Sequence, residues 1–254
     1  MMIGVISSAR LGVILACTAG VMLGGCSASS TPGTGAAANA TPDQPNYDCR
    51  PAKGTITIDG VLDEPAWQDA PFSDLFLVSA PGVREMPDRL ATRMKMLYDR
   101  DNLYAAFDCE DSDIWATYAS RDDPVRFEKA VLLDIDPLGN GRGHYGFQVN
   151  PLNALLDCKT TGGASKLNPK RWRQAVEWNA TGVEHAVHVE GTINKRDDTD
   201  NRWTVEPKIR FDDLGVRPLP GDVWHVRADR LDYWVGRTVF SSWARAEFGT
   251  VVFK

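Results

Sequence analysis

The 254-residue sequence predicts an all-β sandwich. Two observations lead there. Apolar and polar residues alternate with period two in several short runs. Turn signals separate those runs, at 99–102, 137–141, 197–201 and 220–221, all rich in Asp, Asn, Gly or Pro.

The runs follow one pattern. Leu103, Ala105, Phe107 and Cys109 form one apolar row. Val131, Leu133 and Ile135 oppose Leu132, Asp134 and Asp136. Tyr145, Phe147 and Val149 oppose Gly146, Gln148 and Asn150. Ala186 to Glu190 is a weaker row. Trp203, Val205, Ile209 and Phe211 oppose Thr204, Glu206, Lys208 and Arg210, with Pro207 predicting an edge or a bulge. Trp224, Val226 and Ala228 oppose His225, Arg227 and Asp229. Trp67, Trp203 and Trp224 are in phase with apolar neighbours and are expected in the core.

The first 25 residues read as a targeting segment. Arg10 is followed by an uncharged apolar run, 11–23, too short to span a bilayer comfortably. Leu23-Gly24-Gly25-Cys26 then resembles a bacterial lipobox, which implies cleavage and a lipid anchor on Cys26. Ser27 after the Cys points to the outer membrane by the same resemblance. Residues 26–46 are mostly Ser, Thr, Pro, Gly, Ala and Asn with little to bury, and predict a flexible tether. Residues 47–254 are then one large β domain.

The formal charge is −6, and removing residues 1–25 takes away one further cation. No basic block stands out, so nucleic acid is excluded as a partner class. Three cysteines outlast the leader and the anchor: Cys49, Cys109 and Cys158. Exported proteins keep disulfides, and Cys49–Cys109 is the expected pair. There is no C-x-x-C, no Gly-x-Ser-x-Gly and no His-Glu-x-x-His, so zinc, thiol-redox and hydrolase chemistry find no motif.

The stretch Thr55-Ile-Thr-Ile-Asp-Gly-Val-Leu-Asp-Glu-Pro-Ala-Trp67 predicts a strand, a tight turn at Asp59-Gly60 and a short helix capped by Asp63 with Pro65 in its first turn. Met94–Asp99 followed by Asn102–Phe107, then Arg121-Asp-Asp-Pro124, Ile135-Asp-Pro137 and Tyr145–Pro151, succeed it. Glu190–Asn194, Trp203–Glu206, Gly221–Trp224 and Phe248–Phe253 complete the order. Together these motifs resemble family 9 carbohydrate-binding modules and their DOMON-like relatives, over about residues 54–254. The resemblance implies a jelly-roll-like sandwich that binds mono-, oligo- or polysaccharide without catalysing a reaction. An envelope interaction domain that has lost its sugar site is the alternative.

In sugar-binding members two Trp rings sandwich the sugar while Glu, Arg and Gln or Asn bond its hydroxyls. Apolar pyranose faces suit aromatic planes. Here the first ring position holds Arg126 and Phe127, the Glu falls at Leu132, the Arg at Gln148 and the Gln at Arg227. The second Trp loop is contracted and leaves Trp243, which matches either that ring or an inner structural Trp of the family. The implied contacts are Phe127 and Trp243 as platforms, Gln148 and Arg227 as hydroxyl partners, with Arg126 and Trp115 beside them. Trp115, Trp172 and Trp178 sit in irregular segments and read equally as stacking platforms or loop packing. Lys166, Lys170, Arg171 and Arg173 lie in the same long insertion as Trp172, which reads first as a solvated basic loop and second as a binding loop.

Other constellations are weaker. Asp197, Asp198 and Asp200 are calcium candidates without EF-hand spacing, and no other cofactor is expected. Asp134 and Asp136 share a strand face about 6.6 Å apart along the backbone, beyond the about 5–5.5 Å of a retaining glycosidase pair. His185 and His188 fall on opposite strand faces. A haem-binding reading of the DOMON kind would use Met94, Met96 or His144, with no evident pairing.

Overall fold

The computed structural model describes residues 44–78, 88–162, 169–234, 237–244 and 248–254. The expected leader, Cys26 and all of the tether before residue 44 lie outside them, as does Lys166. The described residues form an all-β sandwich of two sheets.

The first sheet runs in the order β7 (Leu155–Lys159), β6 (Tyr145–Val149), β5 (Ala130–Asp136), β10 (Val223–Trp234), β12 (Gly249–Phe253) and β1 (Asn46–Pro51). The second continues from β1 through β3 (Thr92–Tyr98), β4 (Asn102–Glu110) and β9 (Arg202–Arg210) to β8 (Glu184–Glu190). β1 serves both sheets. Asn46–Cys49 run parallel to β12, then Arg50 and Pro51 run parallel to β3. The long strand β10 pairs with β5 along one side. Along its other side it meets β12 first and then β11 (Arg237–Ser242), which carries the two-residue β2 (Leu77–Val78).

The alternating rows face each other across the core. Val131, Leu133, Ile135, Phe147, Val226 and Ala228 from the first sheet meet Met94, Met96, Leu103, Phe107, Val205 and Ile209 from the second. Trp203 and Trp224 are buried there, the latter edge-on to Phe211 and Phe253. Met94 and Met96 are inter-sheet packing. His144 lies instead in a cavity on the first sheet's outer face, so the three candidate haem ligands do not share a site.

Pro207 departs from expectation. β9 is an inner strand between β4 and β8, and its register with each neighbour is constant. The ladder with β4 omits only the two pairings at Pro207 and Glu206, since proline has no N–H to give. The sheet accepts the gap without a bulge.

The Thr55–Trp67 stretch is also corrected in detail. Residues 55–58 join no ladder; they lie extended over the outer face of the second sheet. Ile56, Ala66, Trp67 and Ala70 pack there on Leu97, Tyr104 and Ala106. Glu64, not Asp63, precedes the helix α1 (Pro65–Asp69), with Pro65 at its start. Gly60 has φ of 83°, and a Cβ on it would lie 2.6 Å from the His188 nitrogen. Glycine is required because the turn presses on β8. The buried Glu206 carboxylate ties the stretch down, accepting bonds from Trp67 Nε1 at 2.7 Å and from the N–H groups of Gly60 and Asp59.

A charged network fills one end of the core. Arg230, fully buried, donates to Asp111 at 2.9 Å and Asp232 at 2.6 Å. Lys129 bridges the same two carboxylates at 2.8 and 3.0 Å. Two cations and two anions taken from water together satisfy one another, which makes burial tolerable.

The expected Cys49–Cys109 disulfide is absent. All three cysteines of the β domain are free, buried thiols. Cys49 lies on β1 and Cys109 on β4, with β3 between their strands, so two strand spacings of about 4.8 Å separate them and exceed the reach of a bridge. Burial pushes the Cys109 thiol up to about 12.

Candidate functional site

Strand side chains alternate, so the residues pointing away from the core form a second grid on the outer face of the first sheet. On β5 these are Leu132 and Asp134, on β6 Gly146 and Gln148, and on β10 Arg227, Asp229 and Leu231. Register sets Leu132 between Gln148 and Asp229, and Asp134 between Gly146 and Arg227. A cavity of about 480 Å³ opens on this grid. Gly146 keeps its floor clear: a Cβ there would lie 2.7 Å from Asp134 Oδ1 and 2.8 Å from the Cys158 sulfur.

The rim comes from three other segments. A single 3-10 turn, Val125–Phe127, is anchored by fully buried Val125 and places Arg126 and Phe127 over the floor. Glu128 fixes this turn by accepting bonds from Thr117 N, Thr117 Oγ1, Tyr118 N and Asn150 Nδ2, at 2.7–3.2 Å. Helix α2 (Pro169–Val176) packs beside β7 and brings Trp172 to the wall. Phe240 of β11 closes the opposite side. Phe127 is 66% exposed, a large aromatic ring held at the mouth of the cavity. The Arg126 guanidinium lies 4.2 Å from the Trp172 ring centroid and 5.1 Å from that of Phe127, within cation–π range of both.

The floor mixes buried polar groups with Leu132, Leu231 and Cys158. Gln148 is 4% exposed, and its Oε1 has no hydrogen-bond partner among the described residues. Buried acceptors are almost always paired, so this orphan beneath the cavity marks Gln148 as a group that a donor reaching the floor would satisfy. Arg227 Nε lies 2.6 Å from Asp229 Oδ2, and the Ser242 hydroxyl donates to Asp229 Oδ1. Burial raises the Asp229 carboxyl against the pull of Arg227. Burial also raises Asp134; His144 and Arg227 oppose this, and the Asp229 charge adds to it. His144 Nε2 is 3.7 Å from Asp134 Oδ1. The Cys158 thiol is pushed up to about 12 by burial and serves as a small neutral lining group.

Arg126, Phe127, Gln148 and Arg227 therefore meet at one concave surface. Trp243 does not join them: it is 4% exposed, and its ring packs on Gly249 within the core. Trp115 is also elsewhere, half-buried beside Arg196 with 5.8 Å between guanidinium and ring centroid. Trp178 packs on Tyr145 and Phe147. The side chains of Lys170, Arg171 and Arg173 are outside the described set.

The calcium candidates do not converge. Asp200 is buried and accepts bonds from Ile114 N at 2.6 Å and Thr192 N at 2.7 Å, tying two loops together. Asp198 pairs with Lys195, and Asp197 points to solvent. Among the described residues no group of three His, Cys, Asp or Glu side chains is arranged to hold a metal ion. Asp136 is likewise structural, capping its turn through Leu138 N and Gly141 N, and is no partner for Asp134.

Asp134, His144, Asp229 and Phe240 line the cavity beyond the contacts expected from sequence, and Trp172, open between stacking platform and loop packing, stands at its wall. For the two aspartates a signal existed: the outward-facing rows of β5 and β10 are the same rows that hold Leu132 and Arg227. Phe240 has no comparable signal.

No family model matches the chain, and no curated protein matches it. Solved structures do. A Bacteroides uniformis ATCC 8492 protein assigned provisionally to carbohydrate binding superposes with a TM-score of 0.63 at 15% identity, covering 83% of this chain and 100% of its own. A family 9 carbohydrate-binding module from Caldicellulosiruptor kristjanssonii in complex with cellotriose gives 0.53 at 15% identity, over 82% of this chain and 93% of that one. The same organism's module with glucose gives 0.53 at 15% identity, over 82% and 96%. The chain has the β-sandwich fold of the family 9 carbohydrate-binding modules.

Proposed function

We propose that this chain is a non-catalytic carbohydrate-binding module whose ligand sits in the cavity on the outer face of the first sheet. The observation that carries this reading is the unpaired Gln148 acceptor at the floor of a concavity rimmed by the Phe127 and Trp172 rings. A pyranose offers a C–H face to the aromatic rim and hydroxyls to Gln148, Asp134 and the Arg227–Asp229 pair. The two similar modules crystallised with cellotriose and glucose support the same ligand class. In this reading Cys26 carries a lipid and residues 26–46 tether the module to a bacterial membrane, so that it captures glycan at the envelope surface.

Calorimetry against a panel of soluble glycans tests the ligand. Phe127→Ala removes only an exposed ring, so folding is expected to survive while affinity drops about tenfold, the worth of one aromatic stack. Wild-type protein that binds no glycan, or a Phe127→Ala variant that binds equally well, contradicts the reading. Fractionation tests the anchor: Cys26→Ala is expected to move the full-length protein out of the membrane fraction, and retention there would refute lipidation at Cys26.

A further inference from the structure

A second cavity, of about 370 Å³, lies at the end of the sandwich and shares His144 with the first. We infer that it is a subsite for an anionic sugar unit, adjoining the first cavity across His144 and read by Arg142 and Lys159. The inference rests on the carbohydrate reading above and names the class of glycan.

The charge balance of this cavity points there. Arg142 and Lys159 both line it, both are exposed, and neither has an acidic partner among the described residues. The sole carboxylate in the lining is Asp136, and both its oxygens are occupied, accepting from Leu138 N at 3.2 Å and Gly141 N at 2.8 Å. Its single negative charge leaves the lining with one positive charge in excess, and its oxygens are turned to the backbone rather than to either cation. The Lys159 ammonium lies 4.9 Å from the Tyr145 ring centroid, which holds it beside an apolar plane. The His144 imidazole forms the partition, its Nδ1 2.9 Å from the Thr160 hydroxyl. A glycan chain passing His144 would leave one sugar on the Gln148 floor and present the next to Arg142 and Lys159. Such an arrangement selects a carboxylate or sulfate ester on that second sugar, through charge-assisted hydrogen bonds.

Calorimetry with cellotriose, trigalacturonate and a sulfated trisaccharide separates the possibilities. At low ionic strength an anionic trisaccharide is expected to bind about tenfold more tightly than the neutral one. Added salt erases that preference, and the double variant Arg142→Ala/Lys159→Ala brings the anionic ligand down to the affinity of the neutral one. Comparing the carboxylated and sulfated probes identifies which anion is read. Equal affinity for all three overturns the inference and leaves the carbohydrate reading intact. A preference that survives in the double variant also overturns it and places the anion beside Arg126. Absence of binding to every saccharide overturns both readings.

Discussion

Replacing Glu206 by alanine is expected to cost about 3–5 kcal/mol of folding free energy, since three donors lose their acceptor in a buried layer. Trp67 Nε1 is 2.7 Å from Oε1, and the Gly60 and Asp59 N–H groups reach Oε2 at 3.1 and 3.3 Å. Trp67 and Glu206 are both 0% exposed, so water cannot take the place of the carboxylate. The Thr204 hydroxyl, donating to Gly60 O, would be left as the main polar tie on the same turn. Glu206→Gln keeps one acceptor and should cost less, but its NH₂ must then oppose an N–H group.

The same residue makes stability depend on pH. Burial pushes Glu206 from about 4.5 up to about 7, against the three N–H donors that favour the anion. Between these values the folded chain holds a proton that the unfolded chain has released. Stability from this group is therefore complete below about pH 4.5 and is lost as pH rises through about 7. Urea denaturation at pH 5 and pH 8 should show the wild type losing on the order of 1–3 kcal/mol more than Glu206→Gln across that interval. Parallel pH dependence of the two proteins would show that Glu206 stays ionised throughout.

What the sequence made legible follows from how each strand is covered. β4, β5, β6, β9 and β10 have one face in the inter-sheet core and a more polar outer face, so period-two alternation reveals them. β7 hides because its pattern is blurred. Leu156 and Cys158 on its outer face are buried under Ala175 and Val125, while Asp157 is buried and held by Arg121 at 2.7 Å. β1 hides because its six residues divide between two sheets. The Thr55–Trp67 stretch looked like a strand because Thr and Ile suit one, yet those side chains cover a sheet from outside. Motif order sets Trp243 in a contracted loop and leaves platform and inner core both open; Gly249 supplies the room that puts its ring in the core. Gln148 was accessible to reasoning, since Phe147 and Val149 face inward and force their neighbour out. Its orphaned oxygen is not, because that depends on which groups of several separate segments surround the cavity.

Gln148→Leu is expected to weaken glycan binding by about 10–100-fold while raising stability by about 1 kcal/mol. The two effects share one cause. In the free protein the Oε1 atom is desolvated and unpaired, so the fold bears the cost of an unmet acceptor. A leucine of similar volume removes that cost and can pack on Leu132, which lies directly across the ladder. A bound sugar hydroxyl would have met the acceptor, so the variant loses the bond that burial had prepared. A purely structural glutamine behaves otherwise: its removal would lower stability, or leave it unchanged, and leave affinity untouched. Thermal denaturation and calorimetry on the same preparations distinguish these outcomes. A destabilised variant that binds glycan as the wild type does would remove Gln148 from the ligand site. Opposite signs for stability and affinity would fit a floor kept under-satisfied for a partner that arrives from solution.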